Sequence, residues 1–255
     1  MHSSHTSRIA VITGAAEGIG RAFAKRLARD GIIVVVADLR GASATIRAVE
    51  ASNGCAVSVR CDVSQPADIE ELKNEVLSRF GRCDILVNNV GIYPAKKFED
   101  ITFEDWRHVM AINLDAHFLA IKAFAPGMRK RGWGRIVNLA SNTFNLPISN
   151  LSHYIASKGG VVGLTRALAS EFGDDGVTVN AIAPGLVRTP GTIARYRKSR
   201  KRGETDAFAD AASQQAIKSG LVPNDLCGLL SYLVGDGAAF ITGQTIYVDG
   251  GQVRT

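Results

Sequence analysis

The stretch Thr13-Gly14-Ala15-Ala16-Glu17-Gly18-Ile19-Gly20 completes the apolar run 9–13 and leads into a segment with helical spacing. Its glycines let the backbone turn tightly and come close to a pyrophosphate. The free N–H groups and the positive dipole end of the following helix attract the negative charge of that group. A glycine-rich turn is weak evidence alone, but its place between a first strand and a helix favours a dinucleotide site.

Short apolar, β-branched runs alternate with helix-like segments along the whole chain. The predicted strands are 9–13, 32–37, 56–59, 85–87, 135–139, 177–182 and 245–248, and the clearest predicted helices are 20–29, 66–80 and 154–172. Such alternation predicts parallel βαβ units, whose strands are apolar throughout because both faces are buried. The predicted fold class is therefore α/β: a single doubly wound Rossmann domain over 1–255, with a parallel seven-stranded sheet flanked by helices.

Glycines mark the ends of three predicted helices. Gly31, Gly81 and Gly173 each stand where a left-handed C-terminal cap would lie. From about 186 to 221 the apolar periodicity fades, and polar, basic and small residues take over. We expect this segment to be a mobile lid over the substrate.

Composition and charge argue against several classes of protein. The 255 residues are 46% hydrophobic and 21% charged, as in an ordinary soluble domain. The net charge of +6 equals the six basic residues of the run 195–202, so the rest is balanced and nucleic-acid binding is not expected. The four cysteines lack metal-ligand spacing, so no metal site is expected, and they fit reduced thiols of a cytoplasmic protein. The polar residues 1–8 are not expected to form a signal peptide, and no apolar run near the ~18 residues of a membrane span is expected.

Asp38 ends the second predicted strand, in the order Val34-Val35-Val36-Ala37-Asp38. A carboxylate there can accept hydrogen bonds from both ribose hydroxyls of an adenosine, and it repels a 2′-phosphate. Glu17 adds a second negative charge where an NADP-binding protein would carry a basic residue. The two acids favour NAD over NADP, although Arg40 lies nearby, and a solvated strand-end carboxylate is the alternative for Asp38.

Tyr154 and Lys158 lie four residues apart and therefore share one face of a helix. A free tyrosine has a pKa near ~10, too high for a base at neutral pH. We expect Lys158 and a positively charged nicotinamide to lower the pKa of Tyr154, as general acid–base catalysis requires. Tyr154 would then accept the proton in alcohol oxidation and donate it in carbonyl reduction. A surface helix pair is the alternative that the spacing alone allows.

Many motifs occur in the order typical of the short-chain dehydrogenase/reductase family, which this chain resembles over nearly its whole length. The turn 13–20 resembles that family's glycine motif, and Val90 stands where its Asn-Asn-Ala-Gly motif has alanine. The other matching motifs are Asp62-Val63, Asn88-Asn89-Val90-Gly91, Asn113, Ser141, Tyr154-Ile155-Ala156-Ser157-Lys158 and Pro184-Gly185-Leu186-Val187-Arg188-Thr189.

The resemblance implies a role for each matching residue. Ser141 would hydrogen-bond the substrate oxygen, Lys158 would hold the nicotinamide ribose, and Asn113 would anchor a water that relays protons. It also implies a homotetramer, with 241–245 and 248–251 at a subunit contact. The predicted cofactor-binding residues are Gly14, Glu17, Gly18, Ile19, Gly20, Asp38, Asp62, Val63, Asn88, Gly91, Tyr154, Lys158, Pro184, Gly185, Val187 and Thr189.

The substrate is less well defined, because it depends on loops that vary freely on one fold. Stretches 80–94, 132–135 and 153–154 are similar to bacterial 1-phenylethanol dehydrogenases, whereas 141–144 and 158–161 resemble pyridoxal dehydrogenases of the same family. Both resemblances point to ring-bearing substrates. The candidate substrate-binding residues are Tyr93, Asn142, Phe144, His153, Arg195 and Arg197.

Each of these candidates has a second interpretation. Tyr93 and Phe144 could pack a ring or belong to the core, and His153 could bind a polar substituent or be a hydrogen-bonded histidine at a helix start. The basic run 195–202 would attract a carboxylate, sulfonate or phosphate, or else be a solvated charged loop.

Taken together, the sequence predicts an NAD-dependent oxidoreductase that interconverts a secondary alcohol and a carbonyl. Its partner would be a small-molecule substrate, ring-bearing or anionic, with neither nucleic acid nor a membrane involved. The alternatives are a sugar or polyol dehydrogenase, acidic sugars included, and a non-catalytic NAD-binding regulator.

Overall fold

The computed structural model describes residues 7–199 and 206–254. Its strands are β1 (Ile9–Thr13), β2 (Ile33–Asp38), β3 (Ala56–Arg60), β4 (Ile85–Asn88), β5 (Gly134–Leu139), β6 (Val177–Pro184) and β7 (Thr245–Val248). They form one parallel seven-stranded sheet in the order β3-β2-β1-β4-β5-β6-β7. The strand order reverses between β1 and β4, where doubly wound sheets bind their ligands. The predicted fold class and all predicted strands are confirmed, with bounds shifted by at most two residues.

Helices cover both faces of the sheet. They are α1 (Gly18–Arg29), α2 (Ser43–Glu50), α3 (Pro66–Phe80), α4 (Phe103–Met110), α5 (Ala116–Lys130), α6 (Ser152–Phe172), α7 (Pro190–Ser199), α8 (Ala207–Gln214) and α9 (Cys227–Leu233). A π-helical turn, Ala111–Asp115, joins α4 to α5 without a break.

The alternation of side chains along β1 explains why the strand is apolar at every position. Ala10 and Ile12 pack with the helices α1, α2 and α9, whereas Ile9 and Val11 pack on the other face with α3, α5 and α6. Burial of an aliphatic side chain contributes about 1.5–3 kcal/mol relative to exposure. Both faces of the central strands therefore stabilise the sheet, and the glycine-rich turn after β1 is held at its carboxyl edge.

Two of the three predicted glycine caps are confirmed and one is wrong. Gly31 and Gly81 have φ of 82° and 69° after α1 and α3. Gly173 has φ of −57°, because a 3₁₀ turn extends α6 to Asp175. The left-handed residue is Gly176, where a Cβ would lie 2.3 Å from the Gly132 carbonyl oxygen. The close approach of two backbones thus places the required glycine three residues later.

The segment 186–221 contains two short helices rather than irregular chain alone. α7 begins at Pro190, with the Thr189 hydroxyl accepting a hydrogen bond from Thr192 N at 3.1 Å. α8 begins after Asp206, whose carboxylate accepts a hydrogen bond from Phe208 N at 3.1 Å. These helices are too short and polar to show a clear apolar period. Positions 200–202 of the basic run lie outside the described residues.

The continuous helical stretch Phe103–Lys130 is long and apolar enough to cross a membrane by length and composition. Its most apolar window has a mean hydropathy of 1.2. In the structure, 44% of that window is buried inside the protein. Ala120, Phe124 and Met128 pack in the core beneath the sheet, which accounts for its apolar face.

Candidate active site

A cleft of about 870 Å³ opens at the carboxyl edge of the sheet, between the glycine-rich turn and the helices α7 and α8. It brings together thirteen of the predicted cofactor residues, far apart in sequence. Those that line it are Gly14, Glu17, Gly18, Ile19, Asp38, Asp62, Val63, Gly91, Tyr154, Pro184, Gly185, Val187 and Thr189.

The glycine-rich turn is held against the strand β4 by Asn89, a residue without an assigned role in the sequence prediction. The Asn89 amide donates to the carbonyl oxygens of Thr13 and Gly14 at 3.0 and 2.9 Å. Gly20 does not line the cleft: a Cβ there would lie 2.3 Å from the Gly14 carbonyl oxygen. Its role is close packing of α1 on the turn rather than direct contact with a cofactor.

The N-terminus of α1 fits the phosphate groups of a dinucleotide. Glu17 precedes the helix without capping it, and the first turn carries no acidic side chain. The first N–H groups of a helix need an acceptor, and a pyrophosphate supplies one together with the charge that the dipole favours.

The adenosine end of the cleft carries a compact group of charges. The buried Asp38 carboxylate accepts hydrogen bonds from Ala16 N and Arg40 N, both at 2.9 Å. The Arg40 guanidinium pairs with Glu17 at 3.0 Å and lies 3.8 Å from Asp38. The hydrogen bond with Glu17 is the main cause that raises the pKa of Arg40. The carboxylates of Asp38 and Glu17 therefore surround the one guanidinium of Arg40, which is already paired with Glu17.

Ser141 and Tyr154 meet on the wall of the cleft. Ser141 follows β5, and its hydroxyl accepts hydrogen bonds from Thr143 N and Oγ1 at 3.2 and 2.9 Å. The Ser141 hydroxyl acts on Tyr154 in the direction that lowers the pKa of the tyrosine and so favours its ionised form. Because β5 and α6 hold these groups from opposite sides, both hydroxyls can contact one substrate oxygen.

Contrary to the expectation, Lys158 is not among the groups that lower the pKa of Tyr154. Burial raises the pKa of Tyr154 to about 12, and the opposing influences are Ser141 and Arg195 rather than Lys158. Lys158 is itself buried, and its Nζ donates to the Leu139 carbonyl oxygen at 2.6 Å. Burial lowers the pKa of Lys158 to about 7. Each group loses solvation in the interior, which disfavours both charged forms.

Asn113 lies behind the cleft wall, in the π-helical turn between α4 and α5. Its side chain accepts from Ile92 N and donates to Ile92 O, both at 2.8 Å, and also donates to Ser157 Oγ at 3.1 Å. A Cβ on Gly91 would be 3.4 Å from Lys158 Nζ and 3.6 Å from Asn113 Oδ1. The small residue at position 91 therefore lets Lys158 and Asn113 approach the same point.

Two predicted cofactor residues lie behind the wall rather than in the cleft. Lys158 is one of them, next to Asn113. Asn88 is the other: its side chain donates to Asn138 Oδ1 at 2.9 Å between the strands β4 and β5, so the expected ribose contact is not seen. The side chain of Asn88 lies within the buried layer of the sheet, because successive residues of a strand alternate between its faces.

Three of the predicted substrate residues line the cleft. Tyr93 lies edge-on to Tyr154, with ring centroids 6.0 Å apart. The buried Asn142 donates to Asp249 Oδ2 at 3.2 Å and to Gln252 Oε1 at 3.0 Å. Arg195, on α7, is the third.

The other three candidates do not reach the cleft. Phe144 is half exposed and covers Gly159 of α6, where a Cβ would lie 2.9 Å from its ring. His153 is fully buried, and its ring nitrogens have no hydrogen-bond partner among the described residues, so the helix-start alternative is also wrong. It points away from the cleft because successive helix residues differ by about 100° in direction. Arg197 is exposed on the outer side of α7.

Several lining residues were not predicted from the sequence. The paired glycines 250 and 251, with φ of 66° and 76°, turn the chain so that Gln252 faces the cleft. Gln252 also donates to Gln214 Oε1 of α8 at 3.1 Å. The Gly-Gly pair after the last strand is the sequence signal that could have predicted this turn. Further examples are Ile112, Leu146, Pro147, Ile148, Leu151, Tyr196, Ala207, Asp210 and Ala211.

Comparison with known proteins gives a match that spans the domain. A family model described as enoyl-(acyl carrier protein) reductase matches residues 14–252. The D-β-hydroxybutyrate dehydrogenase of Rhizobium meliloti strain 1021 is 38% identical, covering 96% of this chain and 98% of that protein. This chain belongs to the short-chain dehydrogenase/reductase family. That membership makes it an oxidoreductase that uses a nicotinamide cofactor.

Other members of the short-chain dehydrogenase/reductase family show how widely its substrates and cofactors vary. The L-2,3-butanediol dehydrogenase of Corynebacterium glutamicum is 36% identical, covering 97% of this chain and 99% of that protein. Actinorhodin polyketide ketoreductase, solved with NADPH, superposes with a TM-score of 0.89 at 35% identity, covering 96% of this chain and 97% of that chain. Family membership therefore leaves the choice between NAD and NADP to the residues of each chain.

Proposed function

We propose that this protein is an NAD-dependent alcohol dehydrogenase that interconverts a secondary alcohol and a carbonyl, with Tyr154 as acid and base. The observation that carries this proposal is that Ser141 and Tyr154 line the same cleft, where Ser141 acts to lower the pKa of Tyr154. When bound, the cofactor supplies the hydride acceptor for oxidation and the hydride donor for reduction. In oxidation, Tyr154 Oη takes the alcohol proton, while Ser141 Oγ donates a hydrogen bond to the substrate oxygen.

Lys158 and Asn113 support the proton transfer from behind the wall. With a pKa of about 12, Tyr154 needs positive charge nearby before it can act as a base at neutral pH. Lys158, with a pKa of about 7, is poised to gain or lose a proton in that range. Asn113, which approaches the same point as Lys158 Nζ, would anchor a water that relays protons from Lys158 to solvent.

The choice of NAD follows from the charges around Arg40. A 2′-phosphate would have to approach Asp38 and Glu17, both of which would repel it. Arg40 could attract the phosphate only by leaving its ion pair with Glu17, at 3.0 Å. NAD instead presents ribose hydroxyls, from which the Asp38 carboxylate can accept hydrogen bonds.

The substrate half of the cleft supports a substrate with an apolar body. Leu146, Pro147, Ile148 and Leu151 line it together with Tyr93, so a ring or short aliphatic chain would be well packed there. A sugar or polyol would leave these surfaces poorly matched, which disfavours that alternative.

We further propose a cytoplasmic homotetramer. The four cysteines are all free, as expected in a reducing compartment. β7 is an edge strand, and Phe240, five residues before it, is fully exposed. An unprotected edge beside an exposed aromatic ring is typical of a surface that another subunit covers.

The test is reduction of NAD and NADP by the purified protein with 1-phenylethanol, 2,3-butanediol, 3-hydroxybutyrate and a polyol. We expect oxidation of at least one secondary alcohol and a higher kcat/KM with NAD than with NADP. Y154F should lower kcat at least about 100-fold, because the acid–base group is lost. Y247F is the matched control: the Tyr247 hydroxyl donates to Asn145 Oδ1 at 2.7 Å, outside the cleft. Equal activity of Y154F and the wild type would instead favour a protein in which Tyr154 is not catalytic.

A further inference from the structure

Arg195 is a basic residue of the run 195–202 that lines the active-site cleft. Its Nη1 donates to the Tyr93 carbonyl oxygen at 2.5 Å. Its guanidinium carbon lies 4.7 Å from the centre of the Tyr93 ring and 5.5 Å from that of Tyr196. α7 therefore carries a half-buried positive charge into the substrate half of the cleft, and its position is defined by three separate contacts.

The charge of Arg195 lacks a counter-ion within the described part of the chain. Among residues 7–199 and 206–254, the arginines that line the cleft are Arg40 and Arg195. Arg40 is paired with Glu17, whereas no carboxylate of residues 7–199 and 206–254 lies within ion-pair distance of Arg195. Aromatic faces and a carbonyl oxygen compensate a cation only partly. A half-buried cation with this surrounding favours an anion beside it.

The position of Arg195 also places it close to the reacting atoms. Tyr93 lies between the two groups: its ring centroid is 6.0 Å from that of Tyr154, and the guanidinium of Arg195 covers it at 4.7 Å. The positive charge of Arg195 acts to lower the pKa of Tyr154, which places both within electrostatic range. An anion bound to Arg195 would therefore lie only a few carbon atoms from the substrate oxygen at Tyr154.

We propose that Arg195 binds the carboxylate of the substrate, so that the enzyme interconverts short hydroxy acids and the corresponding oxo acids. This inference rests on the proposed function. The hydroxy acid loses a hydride to NAD and a proton to Tyr154, and the carboxylate is unchanged by the reaction. A guanidinium can bind both carboxylate oxygens in a fork, which orients the carbon chain along the apolar wall of Leu146, Ile148 and Leu151.

The test compares matched acids and esters that differ only in charge. The substrates are both enantiomers of 3-hydroxybutyrate, 4-hydroxypentanoate and 5-hydroxyhexanoate, each with its methyl ester. We expect wild-type kcat/KM to be higher for the acids. R195Q should lower the acid-to-ester ratio about 10- to 100-fold, mainly through KM, since one charge-assisted pair is lost. R195K should fall in between, and R197Q, on the exposed side of α7, should leave the ratio unchanged.

A binding measurement keeps the inference independent of turnover. Butyrate, hexanoate and their methyl esters are titrated calorimetrically into the NAD-loaded protein, in the wild type, R195Q and R197Q. Carboxylate binding that is lost in R195Q and kept in R197Q supports the inference, even if no hydroxy acid in the series is oxidised.

Three results would overturn it. The first is a wild-type enzyme that oxidises the esters as well as the acids, which refutes the inference and leaves the proposed function intact. The second is an R195Q variant whose affinity for NAD falls while the acid-to-ester ratio is constant, because Arg195 would then serve the cofactor. The third is the absence of carboxylate binding in the wild type. Failure of the proposed function would be different: no alcohol, neutral or anionic, would reduce NAD.

Discussion

Lys158 shows how one buried residue links stability to pH. Burial lowers its pKa from 10.5 to about 7, so the unfolded chain binds this proton more tightly than the folded protein. Between these two values the folded state gains stability as the pH rises, by up to about 1.4 kcal/mol per pH unit. Below pH 7 both the folded and the unfolded state hold the proton, so the free energy of unfolding is reduced by the full cost of the buried charge.

We therefore expect K158M to flatten the pH dependence of unfolding between about pH 7 and 9. The free energy of unfolding is measured by urea titration at several pH values. K122M, at an exposed lysine of α5, is the control and should retain the wild-type slope. Parallel curves for K158M and the wild type would show that Lys158 titrates normally. Tyr154 affects stability only above this range. Its pKa is near 12 in the folded protein, so the free energy of unfolding falls only once the tyrosine of the unfolded chain ionises, near pH 10.

At the scale of elements, the close contact between α1 and the glycine-rich turn makes Gly20 sensitive to substitution. A Cβ at Gly20 would lie 2.3 Å from the Gly14 carbonyl oxygen, and neither backbone can move freely. We expect G20A to destabilise the protein by about 1–3 kcal/mol and to weaken NAD binding together with it. The melting temperature and a fluorescence titration with NAD measure both effects.

The matched control is Gly163, an exposed position of α6 where a Cβ meets nothing within 4 Å. G163A should stabilise the protein by about 0.5–1 kcal/mol, because alanine loses less backbone entropy in a helix. If both variants had the same stability, the close contact at Gly20 would not constrain the turn.

At the scale of the whole molecule, the open edge at β7 predicts an assembly. We expect light scattering after gel filtration to give roughly four times the 27.1 kDa mass of one chain. F240D should reduce that mass, because a charge at a fully exposed ring beside the edge strand opposes burial in an interface. L77D, at a partly exposed residue of α3, should leave the mass unchanged. A monomeric wild type would contradict the proposed tetramer.

Much of the architecture could be predicted from the sequence, because the signals are local. The strand Ile9–Thr13 and the glycines after it identify the first βαβ unit, since both need only neighbouring residues. The same holds for the helix Pro66–Phe80, which begins at Pro66 and is followed by Gly81, as predicted. The order of motifs identified the family. Gly173 shows the limit of such local prediction. The left-handed residue is Gly176 instead, because it packs against the distant Gly132.

Only the tertiary structure decided which side chains share the cleft. Asn142, Gln214 and Gln252 meet because separate segments converge at the carboxyl edge of the sheet, and nothing in their spacing shows it. Burial is likewise a property of the assembled fold. It raised the pKa of Tyr154 and lowered that of Lys158, so the neutral form of each is favoured. Sequence therefore determined the fold and the identity of the candidate reacting groups, because these follow from local pattern and residue chemistry. Folding decided their solvation and their neighbours, because both depend on contacts between residues remote in the chain.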